Sequence, residues 1–130
     1  MGGRQLLNLP TLPFPWAADE SLEDPQRAAA LLALPSSRGP AAGVLKPAML
    51  GLVRAMSLAQ AAASRGLGVI VTHSLDGDLG HAAACALAQA MPSAPWPCGL
   101  AAHPGLVRRR DPGLGLAVPT GLGLGLEGWK

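Results

Sequence analysis

The feature that most constrains the fold is an alternation of short apolar runs with alanine-rich stretches of helical period. Residues 42–45 and 68–72 are short and apolar, and the second run is rich in β-branched side chains, which favour strands. Residues 52–64 and 79–91 instead repeat their apolar positions at helical spacing. Apolar strands joined by helical crossovers are typical of a parallel sheet covered by helices, so we predict an α/β fold.

Capping residues mark the ends of these elements. Asp24 followed by Pro25 is typical of a helix N-terminus, and the helix is expected to run to about residue 34. Gly66 is well placed to end the second helix, and Asp78 is predicted to cap the last one. A further short strand is predicted at residues 98–101.

The length and composition indicate one domain. A chain of 130 residues can bury a core, and we place the domain at residues 15–130, after an irregular, proline-punctuated segment at residues 1–14. The net charge of +2 favours no particular partner. The single basic run, residues 108–110, is too narrow to predict nucleic-acid binding.

The sequence also predicts a soluble cytoplasmic protein with no membrane partner. No apolar run approaches the roughly 20 residues that a membrane-spanning helix needs. The N-terminus lacks the unbroken apolar region of a signal peptide. Cys85 and Cys98 are isolated and lack CxxC spacing, as expected for thiols in a reducing compartment.

Polar residues follow three successive apolar runs, because a further short run at residues 14–18 precedes the two described above. In parallel sheets of this kind, chemistry is found at the carboxyl ends of the strands. The residues at the predicted strand ends are Asp19, Glu20 and Ser21, then Lys46, then Thr72, His73, Ser74 and Asp76. We therefore predict that a functional site lies along this edge of the sheet.

Each of these residues also has a plain structural interpretation. A lone lysine such as Lys46 often packs its stem and leaves its ammonium in water. Asp19 could be an ordinary turn carboxylate, and Glu20 is expected to make a surface contact or an ion pair with a neighbouring lysine. His73 could act as a base, contact a substrate or only donate a hydrogen bond. His81 and His103 have the pattern of ordinary helix or loop histidines.

A phosphate-binding turn at residues 76–80 is the weaker alternative for the glycine-rich segment after the third strand. The N-terminus of the following helix favours anions, because its N–H groups are unpaired. Two aspartates in that segment oppose a phosphate, and the GxGxxG pattern is absent.

These motifs, taken in order, resemble the C-terminal half of the enolase superfamily barrel, and most of all the o-succinylbenzoate synthases of its muconate-lactonising branch. The motifs are Ala-Asp-Glu-Ser-Leu at 18–22, Leu-Lys-Pro at 45–47, Val-Thr-His-Ser-Leu-Asp at 71–76, Pro-Cys-Gly-Leu at 97–100 and the glycine–leucine tail at 118–126. The resemblance implies a partial (β/α) TIM-type barrel. It also implies a lyase that dehydrates a cyclohexadiene carboxylate in menaquinone biosynthesis.

The same resemblance implies roles for single residues. Members of the family hold Mg²⁺ on three strand-end carboxylates, of which Asp19 matches one. Lys46 matches the lysine that stabilises the enediolate, opposite a second lysine that acts as the base. The resemblance also implies that the turn after the apolar run at 68–72 contacts the small carboxylate substrate. The residues concerned are Thr72, His73, Ser74 and Asp76.

The chain departs from the family pattern in its length. It is about half of the roughly 250 residues of a complete barrel, and the second lysine and two metal ligands have no counterpart. We therefore expect a fragment, a truncated product or a mis-started reading frame that is inactive alone, or a half-barrel completed by another chain. A non-catalytic remnant, an N-acylamino acid racemase and a dipeptide epimerase are the alternatives. Dipeptide epimerases usually carry an Asp-x-Asp where residues 98–101 have no acid.

Overall fold

The computed structural model describes residues 10–101, and within them it has three parallel strands and their crossover helices. The sheet order is β1-β2-β3, so each strand lies beside the next one in the chain. The strands are β1 (Ala17–Ala18), β2 (Ala42–Leu45) and β3 (Gly68–Val71). The helices are a 3-10 helix (Glu20–Leu22), α1 (Pro25–Leu32), α2 (Pro47–Leu50), α3 (Leu52–Ser64) and α4 (Asp78–Gln89). The predicted α/β fold is confirmed.

The register aligns the carboxyl ends of the strands. Ala18 pairs with Gly43, and Leu45 pairs with Val71, in both cases between parallel strands. Whatever follows these strands therefore emerges at a common edge of the sheet. A parallel arrangement of neighbouring strands is the geometry that part of a (β/α) barrel requires.

The predicted fourth strand at residues 98–101 is reduced to a single parallel bridge between Thr72 and Gly99. The N–H of Gly99 donates to the carbonyl of Val71 at 3.0 Å, as in a normal ladder. The N–H of Val71, however, donates to the Cys98 thiol at 3.3 Å, and that thiol donates to the carbonyl of Trp96 at 3.2 Å. A side chain thus takes the place of a backbone acceptor, and the ladder does not extend.

Of two capping predictions, that of Asp24 is confirmed, whereas Gly66, predicted as a C-cap, lies one residue after the observed C-cap Arg65. Asp24 caps α1, since its side chain accepts the N–H of Arg27 at 2.9 Å and Pro25 is the first helical residue. Gly66 follows the last turn of α3 with a φ of 69°, a conformation that favours glycine.

The prediction that Asp78 caps α4 is wrong by one residue. The helix begins at Asp78, and Gly77 is the N-cap, with the extended backbone that this position requires. The short helix α2 was not predicted at all. It begins directly after Lys46, with Pro47 in the first position, where the missing N–H of proline costs no hydrogen bond.

The core lies between the sheet and the helices. Leu45 and Val71 project from one face of the sheet and are fully buried, and Leu31 of α1 is buried with them. Alanines of α3 (Ala55, Ala59 and Ala62) are buried against the same face, because their short side chains let the helix approach closely.

The opposite face of the sheet is less covered towards the carboxyl ends of the strands, although Ala42 at the start of β2 is buried there. Val44 and Ile70 pair with each other and alternate with the buried positions, so they project from that face, and both are only partly buried. In a closed barrel this face would form the interior.

Some of the remaining predictions concern residues 10–101, and the others concern residues outside this range. Residues 10–14 lie in neither a helix nor a strand. In this part of the chain no helix has the length and apolar character to cross a bilayer. The rest of the irregular segment, the basic run at 108–110, His103 and the tail at 114–126 lie outside the described residues.

Candidate functional site

Lys46 is delivered to the carboxyl edge of the sheet by the end of β2. Its backbone is extended, with φ −113° and ψ 99°, and Pro47 begins α2 immediately after it. The strand therefore cannot continue, and the residue before proline keeps its extended angles as predicted. The Lys46 side chain is 20% exposed, so most of its stem is covered.

Asp19 follows β1 on the neighbouring strand and pairs with Lys46. The distance from Lys46 Nζ to Asp19 Oδ1 is 2.7 Å, and the Asp19 side chain is 36% exposed. Glu20 lies further out, with Oε1 3.8 Å from the same nitrogen and a side chain that is 79% exposed. The expected pairing of Glu20 with a lysine is thus found, as a longer and more solvated contact.

The Lys46 ammonium is held in its charged form. Its hydrogen bond to Asp19 raises the pKa of Lys46 above the ordinary value of 10.5, and the charges of Asp19, Glu20 and Glu23 add to this. Partial burial acts in the opposite direction but does not outweigh the hydrogen bond. Lys46 is therefore a cation throughout the neutral range.

The turn after β3 is held mainly by backbone groups. The Thr72 hydroxyl donates to the carbonyl of Gly99 at 3.1 Å and lies 3.2 Å from the carbonyl of His73. His73 Nε2 donates to the carbonyl of Ala101 at 3.0 Å. Within residues 10–101, His73 Nδ1 is buried and has no hydrogen-bond partner. The structure thus ties Thr72 and His73 to the segment around Gly99.

Asp76 stabilises the same turn. Its Oδ2 accepts the N–H of Ser74 at 3.1 Å, and Leu75 between them has a φ of 56°. A Cβ atom at Gly80 would lie 2.5 Å from the Cβ of Asp76, so glycine is needed for the turn to pack against α4. Asp76 therefore has a structural role in this turn, and the substrate contact that the resemblance implies stays a prediction.

His81 is more involved than the sequence indicated. It lies in α4 and is buried, as expected of an ordinary helix histidine, and its Nε2 donates to the carbonyl of Leu100 at 2.8 Å. Its ring also meets that of His73 edge to face, with centroids 5.3 Å apart and an interplanar angle of 89°. The eight-residue separation of the two histidines gave no hint of this contact.

The predicted site residues thus form two groups along one edge of the sheet. Asp19 and Lys46 meet after β1 and β2, whereas Thr72 and His73 are tied to the chain around Gly99, after β3. The parallel register places both groups at the carboxyl ends of their strands. The edge predicted from the sequence is therefore the edge at which these residues lie.

The described residues do not by themselves fit a magnesium ion. No group of three or more histidine, cysteine, aspartate or glutamate side chains in residues 10–101 is arranged to hold a metal. Mg²⁺ prefers an octahedral set of oxygen ligands, and Asp19 already accepts a hydrogen bond from Lys46. Asp19 is at most one ligand of a larger set, whose other members would lie outside this part of the chain.

Comparison with known proteins gives a structural relative. No family model and no curated protein matches the chain. Among solved structures, it is similar to a dipeptide epimerase from Methylococcus capsulatus complexed with Mg and the dipeptide L-Arg-D-Lys. The identity is 31% and the TM-score is 0.61.

The matched region covers 75% of this chain but only 27% of that enzyme, so the chain spans about a quarter of its relative. The relative is an enzyme of the enolase superfamily, and its likeness to this chain does not single out o-succinylbenzoate synthase. The likeness therefore supports the kinship with the enolase superfamily that the motifs indicated, together with the partial barrel fold.

Proposed function

We propose that these residues form part of an active site that removes a proton next to a carboxylate, with Lys46 stabilising the resulting enediolate. One observation carries the proposal. Lys46 Nζ lies 2.7 Å from Asp19 Oδ1 at the ends of adjacent parallel strands. The proposed binding partner is a small carboxylate substrate. We propose neither a nucleic acid nor a membrane as a partner.

The chemistry requires a cation at this position. Loss of a proton beside a carboxylate gives a species with two negative charges, which is not accessible at neutral pH unless its charge is neutralised. Lys46 is charged and partly withdrawn from water, and its ammonium has three N–H donors, so one can hold Asp19 while another is left for the substrate. Because it is already protonated, Lys46 stabilises charge, and the base is a group outside the described residues.

The specific reaction that we propose is the o-succinylbenzoate synthase reaction, dehydration of a cyclohexadiene carboxylate in menaquinone biosynthesis. The order and separation of the five motifs support this assignment. Residues 97–101 also carry no acid with which a peptide amine could pair. In the complete enzyme, Asp19 would be one of the Mg²⁺ ligands.

A dipeptide epimerase is the second candidate, and the structural relative favours it. That enzyme is 31% identical over the matched region, which includes most of the described residues. The absence of an acid at residues 98–101 opposes it. An N-acylamino acid racemase would use the same lysine and needs no acid at that place.

We further propose that the chain is inactive alone. The described residues offer one strand-end lysine and the adjacent carboxylates Asp19 and Glu20, whereas the reaction also needs a base and more metal ligands. A second polypeptide segment that completes the barrel would supply them. If there is no such segment, the chain is a non-catalytic remnant.

The test is to produce the chain with the polypeptide encoded directly upstream of Met1 and assay it with Mg²⁺. The substrates are the cyclohexadiene carboxylate and a set of dipeptides, and the 130-residue chain alone is assayed in parallel. Turnover of the carboxylate by the completed protein supports the proposal, and turnover of dipeptides instead supports the second candidate. Turnover of neither, or turnover by the chain alone, contradicts it.

A matched pair of variants then tests the role of Lys46. Lys46→Met is expected to lower kcat by about 100- to 1,000-fold, as removal of one charge-stabilising donor does in other enzymes. Arg65→Met removes a positive charge at the exposed C-terminus of α3 and is expected to leave kcat unchanged. A Lys46→Met protein with native kcat would show that the ion pair is only structural.

A further inference from the structure

Arg54 connects α3 to the segment that carries Asp19. Its guanidinium donates through Nη1 to the carbonyl of Glu23 at 2.6 Å and through Nη2 to the carbonyl of Leu22 at 2.7 Å. These acceptors are 31 and 32 residues away in sequence, and both hydrogen bonds are partly buried. Such charge-assisted, two-pronged contacts are the strong class of hydrogen bond.

The two carbonyls belong to the 3-10 helix that follows Asp19. Leu22 is the last residue of this helix, and its N–H donates back to the carbonyl of Asp19 at 2.8 Å. Glu23 is the C-cap, and its N–H donates to Glu20. The end carbonyls of a helix have no partner within it, so Arg54 satisfies groups that would otherwise need water. Arg54 therefore fixes a single turn that begins at Asp19.

The helix that carries Arg54 is also connected to Lys46 through the backbone. The N–H groups of Met49 and Leu50 donate to the carbonyl of Lys46 at 3.0 Å, which ties α2 to that residue. Gly51, with a φ of 75°, joins α2 directly to α3, the helix of Arg54. Covalent chain and hydrogen bonds thus connect the lysine to the arginine within a few residues.

These contacts form a closed ring. It runs from Lys46 through α2 and Gly51 to Arg54, then through the guanidinium to Leu22, and along the 3-10 helix to Asp19. The 2.7 Å ion pair between Asp19 and Lys46 closes it. A change at any member of such a ring alters the distance at the others.

We propose that Arg54 is a positioning residue that holds Asp19 opposite Lys46. The importance of this placement for catalysis depends on the proposed function, but the placement itself does not. A lysine cannot replace the arginine, because a single ammonium lacks the planar fork that spans two adjacent carbonyls. Arg54→Lys therefore keeps the charge and loses the geometry.

The test follows the hydrogen bond of the Lys46 ammonium by NMR in the 130-residue chain. An ammonium group that is held by a carboxylate exchanges its protons slowly with water and gives a ¹H–¹⁵N signal, whereas a solvated one does not. Lys46 and Lys130 are the lysines of the sequence, so the Lys46 signal is identified by its loss in Lys46→Met. The Lys46 signal is expected in the native chain, and to be lost in Arg54→Lys and Arg54→Met.

Two control variants separate positioning from loss of stability. Arg65→Met removes a charge at the C-cap of the same helix. Leu31→Ala weakens the core at α1, where the side chain is 2% exposed, and leaves the ring intact. Both are expected to keep the Lys46 signal, although Leu31→Ala lowers the unfolding temperature.

Two results would overturn the proposal. One is a native Lys46 signal in both Arg54 variants. The other is global unfolding of both variants by circular dichroism, which would make Arg54 a determinant of folding and not of placement.

In the completed enzyme, Arg54→Lys is expected to lower kcat by about 10- to 100-fold with little change in KM, as a small misplacement can. A lost NMR signal with native kcat would contradict the proposed function and leave the positioning role intact.

Discussion

The two polar groups at the edge of the sheet are held in different ways. Asp19 and Lys46 are held by charge, through an ion pair and the guanidinium of Arg54 on a helix far away in sequence. Thr72 and His73 are held by backbone carbonyls of the adjacent segment, at Gly99 and Ala101. The first group is thus sensitive to charge and to distant residues. The second is sensitive to the local path of the chain.

The largest loss of stability is expected from a change in the core that supports both groups. Leu45 precedes Lys46, pairs with Val71 and is 2% exposed, so Leu45→Ala leaves a cavity beneath both groups. We expect a loss of about 2–5 kcal/mol in the free energy of unfolding, measured by urea denaturation. Val53 in α3 is 84% exposed, so Val53→Ala is the control. It should change the free energy of unfolding by less than about 0.5 kcal/mol. Similar losses from both variants would show that β2 is not part of the core.

A medium effect should separate the groups. A Cβ atom at Gly99 would lie 2.7 Å from Thr72 Oγ1 and 3.2 Å from Thr72 Cβ, so Gly99→Ala must displace the chain at this bridge. We expect a loss of about 1–3 kcal/mol in the free energy of unfolding and altered NMR shifts of His73. The ammonium signal of Lys46 should stay unchanged.

Gly77→Ala is the matched control for this experiment, because a Cβ atom there meets nothing within 4 Å. It should leave the His73 shifts close to native, while alanine in place of the glycine N-cap is expected to lower the stability by about 0.5–1 kcal/mol. A change of the Lys46 signal in Gly99→Ala would show that the two groups are mechanically coupled and not held independently.

The smallest effect concerns pH. The hydrogen bond to Asp19 raises the folded-state pKa of Lys46 above 10.5, so the pair stabilises the fold below that pH. The contribution is lost as the pH rises through the folded-state pKa. We expect the unfolding temperature of the native chain to fall more between pH 9.5 and pH 11.5 than that of Lys46→Met. Parallel curves for the two proteins would mean that the pair is too solvated to contribute.

Local sequence patterns predicted the group at β1 and β2 well. An apolar run that ends in Lys46-Pro47 determines where the strand stops, and Asp24-Pro25 determines where α1 begins. Parallel pairing then follows from the helical crossovers, and it brings Asp19 beside Lys46. These features depend on neighbours in sequence, which is why they can be read from it.

Long-range contacts to backbone groups could not be predicted. Arg54 belongs to the polar side of an amphipathic helix, and its acceptors are carbonyls, which every residue carries. The contact of His73 with His81 depends on how α4 packs, and the strand expected at 98–101 depends on whether the thiol of Cys98 enters the ladder. None of these has a pattern in the sequence.

The thiol in the ladder has a practical consequence for anyone who wants to label this protein. Cys98 is the more accessible of the two cysteines and would be the natural place to attach a maleimide dye. Its sulfur, however, accepts the amide of Val71. Alkylation would therefore separate the segment around Cys98 from β3. The dye would then report on a structure that the labelling itself had changed.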